Sequence, residues 1–128
     1  MAAPRPSNET ARLAALRQYQ VLDTPPEDAF DELARLAAQI CQTPMAVIGL
    51  VDAEREWFKS KVGWTAVETP RETSLGAHAI LEQRPLIVPD TLADPRFSNH
   101  SEIRFYAAAP LVSPEGLAVG ALAVMDRA

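Results

Sequence analysis

From Met45 to Val51 every position except Gly49 is apolar, and so short a run without polar interruption reads as a central strand covered on both faces. Asp52 and Glu54 end it. The residues that follow alternate, with Trp57, Lys59 and Lys61 on one face and Phe58, Ser60 and Val62 on the other, as in a hairpin partner. Upstream, Phe30, Leu33, Leu36, Ala37 and Ile40 recur at three- and four-residue spacing. They predict a helix whose apolar stripe faces the core until Pro44 stops it. Thr24-Pro25-Pro26-Glu27 supplies its start: Thr24 can accept from free backbone amides, proline suits the first turn, and Glu27 can reach back in a capping box. A weaker pattern, Leu13 and Leu16 against Arg12 and Arg17, predicts an earlier helix from about Glu9 to Gln20, capped by Asn8.

Beyond the first hairpin, Trp64 to Thr73 contains Pro70 and shows no period, so it reads as a loop. Ser74 is a cap for a short helix through about Glu82, and Pro85 ends it. Leu86-Ile87-Val88 is a brief strand, and Pro89 to Ser101 a polar loop holding Asp90, Asp94, Arg96 and His100. Ile103 to Val112 and Leu117 to Met125 form a second hairpin around Ser113-Pro114-Glu115-Gly116, where glycine supplies a positive φ. Residues 1–7 carry two prolines and no period and are expected to be a disordered arm. Residues 8–128 then make one α+β domain, an antiparallel sheet of five to six strands flanked by helices.

Composition narrows the function. A chain of 128 residues that is 48% hydrophobic and 23% charged is a single folded domain and not a disordered segment. A net charge of −5 without a run of Lys or Arg lacks the field that holds a phosphate backbone, so no nucleic-acid partner is expected. No apolar run nears the roughly 20 residues of a membrane span, and MAAPRPSNETAR lacks the apolar core of a secretory signal. The chain reads as cytoplasmic. Cys41 is the sole cysteine, which rules out an intramolecular disulfide or a thiolate cage, and its helical setting predicts a buried structural thiol. His78 and His100 are too few for a metal site, and none is expected.

WFKSKVG, ETPRETSLGAHAI, PDTLADPRF, IRFYAAAPL and VGALAVMD, with the lead-in NETARLAALRQYQVLDTPPEDAFDELARLAA, together resemble the GAF family of small-molecule sensor domains. The likeness is to the type found at the N-terminus of bacterial sensor histidine kinases and diguanylate cyclases. It implies a PAS-like sheet whose pocket lies between one sheet face and the crossover helix and loops. Carried over by position, the ligand-binding residues are Trp57, Phe58, Arg71, Ser74, His78, Asp90, Phe105 and Tyr106. Aromatic walls provide contact area, and a few polar groups fix orientation. Gly76 stands where many relatives carry a cysteine, which excludes covalent bilin attachment there, and one cysteine cannot run the thiol chemistry of the free-methionine-sulfoxide reductase branch. The asparagine-lysine-phenylalanine-aspartate signature of the cyclic-nucleotide branch is absent. No cofactor is expected, and the identity of a non-covalent ligand stays open.

The resemblance implies a sensory module, not itself an enzyme, that passes a conformational change to an output kinase or cyclase domain. The chain ends at Asp126-Arg127-Ala128, where the resemblance implies a further helix, so Leu13, Leu16 and Val21 are expected to need a second chain, in a homodimer. Two other functions compete: a ligand-free dimerisation module with Trp57 and Tyr106 packed across the cleft, and a small-metabolite enzyme built on His78 and Asp90. Each candidate also has a structural reading. His78 in such a setting is more often a core histidine than a ligand contact, Arg71 serves at least as readily as a salt-bridge partner of Glu68, Glu72 or Asp90, and Trp57, Phe105 and Tyr106 are chiefly core fillers. Asp94-Pro95-Arg96 makes a turn, and Ser74 and His78 are ordinary helix neighbours.

Overall fold

The computed structural model describes residues 2–97 and 102–127; His100 lies outside them. The described elements are α1 (Glu9–Gln18), α2 (Asp28–Cys41), β1 (Met45–Val51), β2 (Arg55–Val62), β3 (Glu68–Pro70), α3 (Gly76–Ala79), β4 (Leu86–Val88), β5 (Phe105–Val112) and β6 (Ala118–Asp126). All six strands join one antiparallel sheet in the order β3-β2-β1-β6-β5-β4. The architecture is the expected α+β, with β1 and β6 at the centre. The uniformly apolar β1 is buried at every position because helices cover both of its faces.

The two faces are distinct compartments. Val47, Phe58, Tyr106, Ala108, Ala121, Ala123 and Met125 point toward α3 and form the main core with Leu75, Ala79, Phe97 and Ile103. On the other face Leu50, Trp57 and Val119 meet Ala15 and Leu16 of α1. Ala46, Val62 and Val124 meet Ala34 and Ala38 of α2, with Phe105 and Ala107 beside them. Gly116 takes a φ of 85° in the β5–β6 turn, as the sequence requires.

Several local expectations fail for identifiable reasons. In β2 the pairing runs Ile48 to Ser60 and then Gly49 to Phe58, so Lys59 is an extra residue that breaks the alternation. Ser60 and Val62 therefore turn away from Phe58 and face α2, where the Ser60 hydroxyl donates to Asp31 Oδ1 at 2.5 Å. Lys59 has its side chain buried on that same side, with its ammonium on Glu27 Oε2 at 2.6 Å, Thr24 Oγ1 at 2.6 Å and the Pro25 carbonyl at 2.7 Å.

Those contacts dismantle the expected capping box. Glu27 is spent on Lys59, the Thr24 hydroxyl donates to the Val21 carbonyl, and the first turn of α2 has no side-chain cap. The helix is also rotated from the expected orientation. Its buried positions are Ala34 and Ala38, small enough for close approach to the sheet, whereas Leu33, Leu36 and Ile40 are 43%, 50% and 72% exposed. Cys41, expected to be buried, is exposed at the end of this helix. In α1 the side expected to be wet carries Arg12, which is fully buried, and Leu16, expected to need a second chain, is fully covered by this one. The helix expected from Ser74 to Glu82 is confined to Gly76–Ala79. No helix among the described residues is long and apolar enough to cross a membrane.

Candidate functional site

Between the α3 face of the sheet and the segment from Trp64 to Leu75 lies a cavity of about 30 Å³, lined by Val47, Glu56, Phe58, Trp64, Thr69, Thr73, Leu75, Ile103, Tyr106 and Met125. Its walls are aliphatic and aromatic, with Phe58 and Trp64 edge to face at 6.3 Å between ring centres. Besides the half-buried Thr69 and the exposed Thr73, three residues with polar groups line it. Glu56 is buried in β2, the Tyr106 hydroxyl is buried in β5, and Trp64 Nε1 is buried although its ring is partly wet. Neither Trp64 Nε1 nor Tyr106 Oη has a hydrogen-bond partner among the described residues. Buried donors are almost always satisfied, because leaving one unpaired costs about 1–3 kcal/mol. Two in one small cavity make it the candidate site.

The chain shapes itself around Glu56. Its Oε1 accepts from the Ser74 hydroxyl at 2.7 Å and from the Gly76 amide at 3.3 Å. A Cβ on Gly49 would lie 1.9 Å from Glu56 Oε2, and one on Gly76 would lie 2.4 Å away. Glycine stands at both positions because the carboxyl occupies the space a side chain would need. This also explains the missing cysteine at position 76. Burial pushes the Glu56 carboxyl up from its ordinary range, with the Ser74 hydroxyl and the Gly76 amide opposing. Burial and the neighbouring Glu56 likewise push the Tyr106 phenol far above its usual value.

The structure separates the eight residues expected at the pocket. Phe58 and Tyr106 line the cavity, and Ser74 borders it through Glu56. Trp57 and Phe105 pack on the opposite sheet face, against α1 and α2 respectively. Asp90 accepts from the Leu92 amide at 3.0 Å, capping the 3-10 turn at Thr91–Ala93. His78 stacks edge-on against Phe97 at 4.5 Å and lines a separate surface hollow with Glu82, Arg84 and Arg96. Ser74 is engaged by Glu56 and by the Ala77 amide at 3.0 Å, so Ser74, His78 and Asp90 do not assemble into a catalytic set. Asp94 accepts from the Arg96 amide at 3.0 Å, the expected turn.

Arg71 finds neither Glu68, Glu72 nor Asp90. It holds Glu9 of α1 at 2.8 and 3.1 Å and the Asp52 carbonyl at 2.7 Å. Glu9 also accepts from Arg12 Nε at 2.9 Å and Arg5 Nη1 at 3.1 Å, while Arg12 Nη2 donates to the Val51 carbonyl at 2.6 Å. Against the opposing effect of partial burial, the Arg71 and Arg12 guanidinium groups draw Glu9 down from 4.5 to about 2. The network ties α1 to the β1–β2 turn and to the 3-10 turn at Arg71–Thr73, one residue ahead of Ser74.

Sequence reasoning missed Glu56 and Trp64. A signal for Glu56 was present: two residues before Phe58 on one strand, it must share that face. A larger groove of about 460 Å³ opens on the other sheet face among Leu16, Val21, Phe30, Leu50, Leu111 and Val119. The cation in that groove, Lys59, is already neutralised by Glu27, and the other polar side chains on its lining, Tyr19, Gln20 and Ser113, are uncharged. No group of three or more potential metal ligands is found among the described residues.

The chain matches the GAF domain family model over residues 25–128. It is 38% identical over 97% of its length to a cyclic di-GMP phosphodiesterase of Pseudomonas aeruginosa, and it spans 22% of that relative. Among solved structures it resembles the GAF domain of an Acinetobacter phosphoenolpyruvate-protein phosphotransferase, with a TM-score of 0.64 and 14% identity over 94% of this chain and 78% of that one. It also resembles a free methionine-R-sulfoxide reductase of Neisseria meningitidis in complex with its substrate, with a TM-score of 0.63 and 20% identity over 98% of this chain and 80% of that one. These two likenesses establish the shared fold, and the family match, covering most of the sequence, establishes that the chain belongs to the GAF domain family.

Proposed function

We propose that this chain is a regulatory GAF domain that binds a small molecule in the cavity between Glu56, Trp64 and Tyr106 and passes the event to an output domain. The observation that carries the reading is the pair of buried, unpartnered donors facing a buried carboxyl in one apolar-walled space. The name of the Pseudomonas relative supports a signalling setting, with an enzyme of cyclic di-GMP turnover as output alongside the kinase and cyclase outputs that the sequence resemblance implies. The domain's own part is regulation and not turnover. Its single thiol is on α2, across the sheet from the cavity, and His78 and Asp90 are employed elsewhere.

A route out of the site exists. A ligand that engages Glu56 competes with or reinforces its bond to Ser74, and the residues just before Ser74 are anchored through Arg71 to Glu9 of α1. Binding that favours one placement of the Arg71–Ser74 segment therefore biases the seating of α1, a population shift driven by differential affinity. Association as a homodimer belongs to the same reading, with the exposed Leu33, Leu36 and Ile40 stripe of α2 as its contact. Native mass spectrometry of the protein as purified tests the pocket. A small added mass is expected on the wild type and is expected to be lost from the Trp64→Phe, Tyr106→Phe double variant. The same mass on both proteins refutes the assignment.

A further inference from the structure

The cavity's polar groups are specific enough to define the chemistry of its occupant. Its lining contains no Arg, Lys or His, and the groups bonded to Glu56 Oε1 are a neutral hydroxyl and a neutral amide. A buried carboxylate without a cation is costly, and an anionic ligand placed beside it adds repulsion to that cost. Phe58, Trp64 and Tyr106 provide aromatic surface around the same space, favourable to a positive charge. Trp64 Nε1 can only donate, and the Tyr106 hydroxyl can donate as well as accept, so an occupant that carries an oxygen acceptor satisfies both.

Resting on the pocket reading above, we infer that the site takes a compact organic ammonium ion that also bears a neutral oxygen, of the amino-alcohol or amino-amide kind. The ammonium meets Glu56, and the oxygen accepts from Trp64 Nε1 and Tyr106 Oη. A space of about 30 Å³ encloses roughly two water-sized groups, so it holds the polar head of such a molecule. The exposed Thr73 at the cavity edge marks the side from which the rest extends into solvent.

The test is a titration of nitrogen-15-labelled protein with three probes of matched size: 2-aminoethanol, which is protonated at neutral pH, neutral ethylene glycol, and anionic glycolate. The ceiling on binding energy per non-hydrogen atom limits a probe of this size to a dissociation constant of roughly 40 μM at best, and anything from there to the millimolar range is within reach of chemical-shift titration. Only 2-aminoethanol should move the Trp64 indole resonance in a saturable way. Glu56→Gln should weaken it at least tenfold, and Tyr106→Phe should weaken it less. Circular dichroism and the unchanged Trp57 resonance on the opposite sheet face show that each variant is folded. Saturable binding of glycolate or ethylene glycol at Trp64, equal to or tighter than that of 2-aminoethanol, overturns the ligand class while leaving the pocket reading standing. An absent response to 2-aminoethanol also overturns the class, and the pocket reading then stands or falls with the mass retained by the purified protein.

Discussion

Replacing Glu9 with Gln tests whether α1 is held to the sheet by charge. The carboxylate accepts from Arg12 at 2.9 Å, Arg71 at 2.8 and 3.1 Å, and Arg5 at 3.1 Å. The gap between about 2 and the ordinary 4.5 corresponds to about 3 kcal/mol, which solvent at the partly wet edge of the network reduces to roughly 1–2 kcal/mol. The variant further leaves the fully buried Arg12 with only the Val51 and Ala118 carbonyls as partners. Breaking a buried pair costs about 3–5 kcal/mol when nothing replaces it, and the amide oxygen of Gln replaces part. A loss of about 2 kcal/mol is expected, which for urea slopes of about 1–3 kcal/mol per molar moves the midpoint by roughly 1 M. Trp57, which packs in the cluster with Leu16 of α1, reports the transition by fluorescence.

The pH dependence sharpens this test. Glu9 has its folded pKa below the unfolded one, so its contribution is complete above about 4.5 and is lost as pH falls toward 2. The difference between wild type and variant should therefore shrink across that window, while other carboxylates act equally in both proteins and cancel. A difference that stays constant from neutral pH down to 2 refutes the electrostatic account. So does a variant as stable as the wild type.

Glu56 has the opposite sign: its folded pKa is raised, so the wild type is penalised as pH climbs above 4.5. Glu56→Gln should gain stability over the wild type near neutral pH and lose that advantage below 4.5, measured by urea unfolding across pH. Gly76→Ala puts a Cβ 2.4 Å from Glu56 Oε2 and should destabilise by about 1–3 kcal/mol through overpacking. Combination with Glu56→Ala should recover most of that loss in a double-mutant cycle. Leu36→Glu and Ile40→Glu change exposed positions, so unfolding should shift by less than about 0.5 kcal/mol, while sedimentation should show the dimer of the proposed function dissociating.

The antiparallel sheet and its two hairpins were legible because several strands carry their own signal: an unbroken apolar run for β1, alternation at the start of β2, and a glycine turn between β5 and β6; the strand order and the short β3, which lies in the segment read as a loop, were not. What escaped were features fixed by two segments at once. The extra Lys59 in β2 arises only when β1 is aligned beside it, and it reverses the face of Ser60 and Val62. The rotation of α2 reflects the fit of Ala34 and Ala38 to the sheet, which outweighs the larger apolar area of Leu33, Leu36 and Ile40. At the site, Phe58 and Tyr106 were recognisable as aromatics on strands, whereas Trp57 and Phe105 have the same chemistry on the wrong face. Glu56 drew no reading from the sequence, because the two glycines that make room for it lie 7 and 20 residues away.

The two tryptophans give the most direct test of the central claim, since Trp64 borders the cavity and Trp57 faces α1 across the sheet. Their indole resonances would be followed while the labelled protein is titrated with a panel of small polar metabolites spanning amines, amides, alcohols and carboxylic acids. A ligand site in the cavity predicts that at least one compound shifts the Trp64 signal saturably and leaves Trp57 in place. Binding that moves Trp57 alone, or a Trp64 signal unmoved by the whole panel, would contradict the assignment of the cavity as the sensory site.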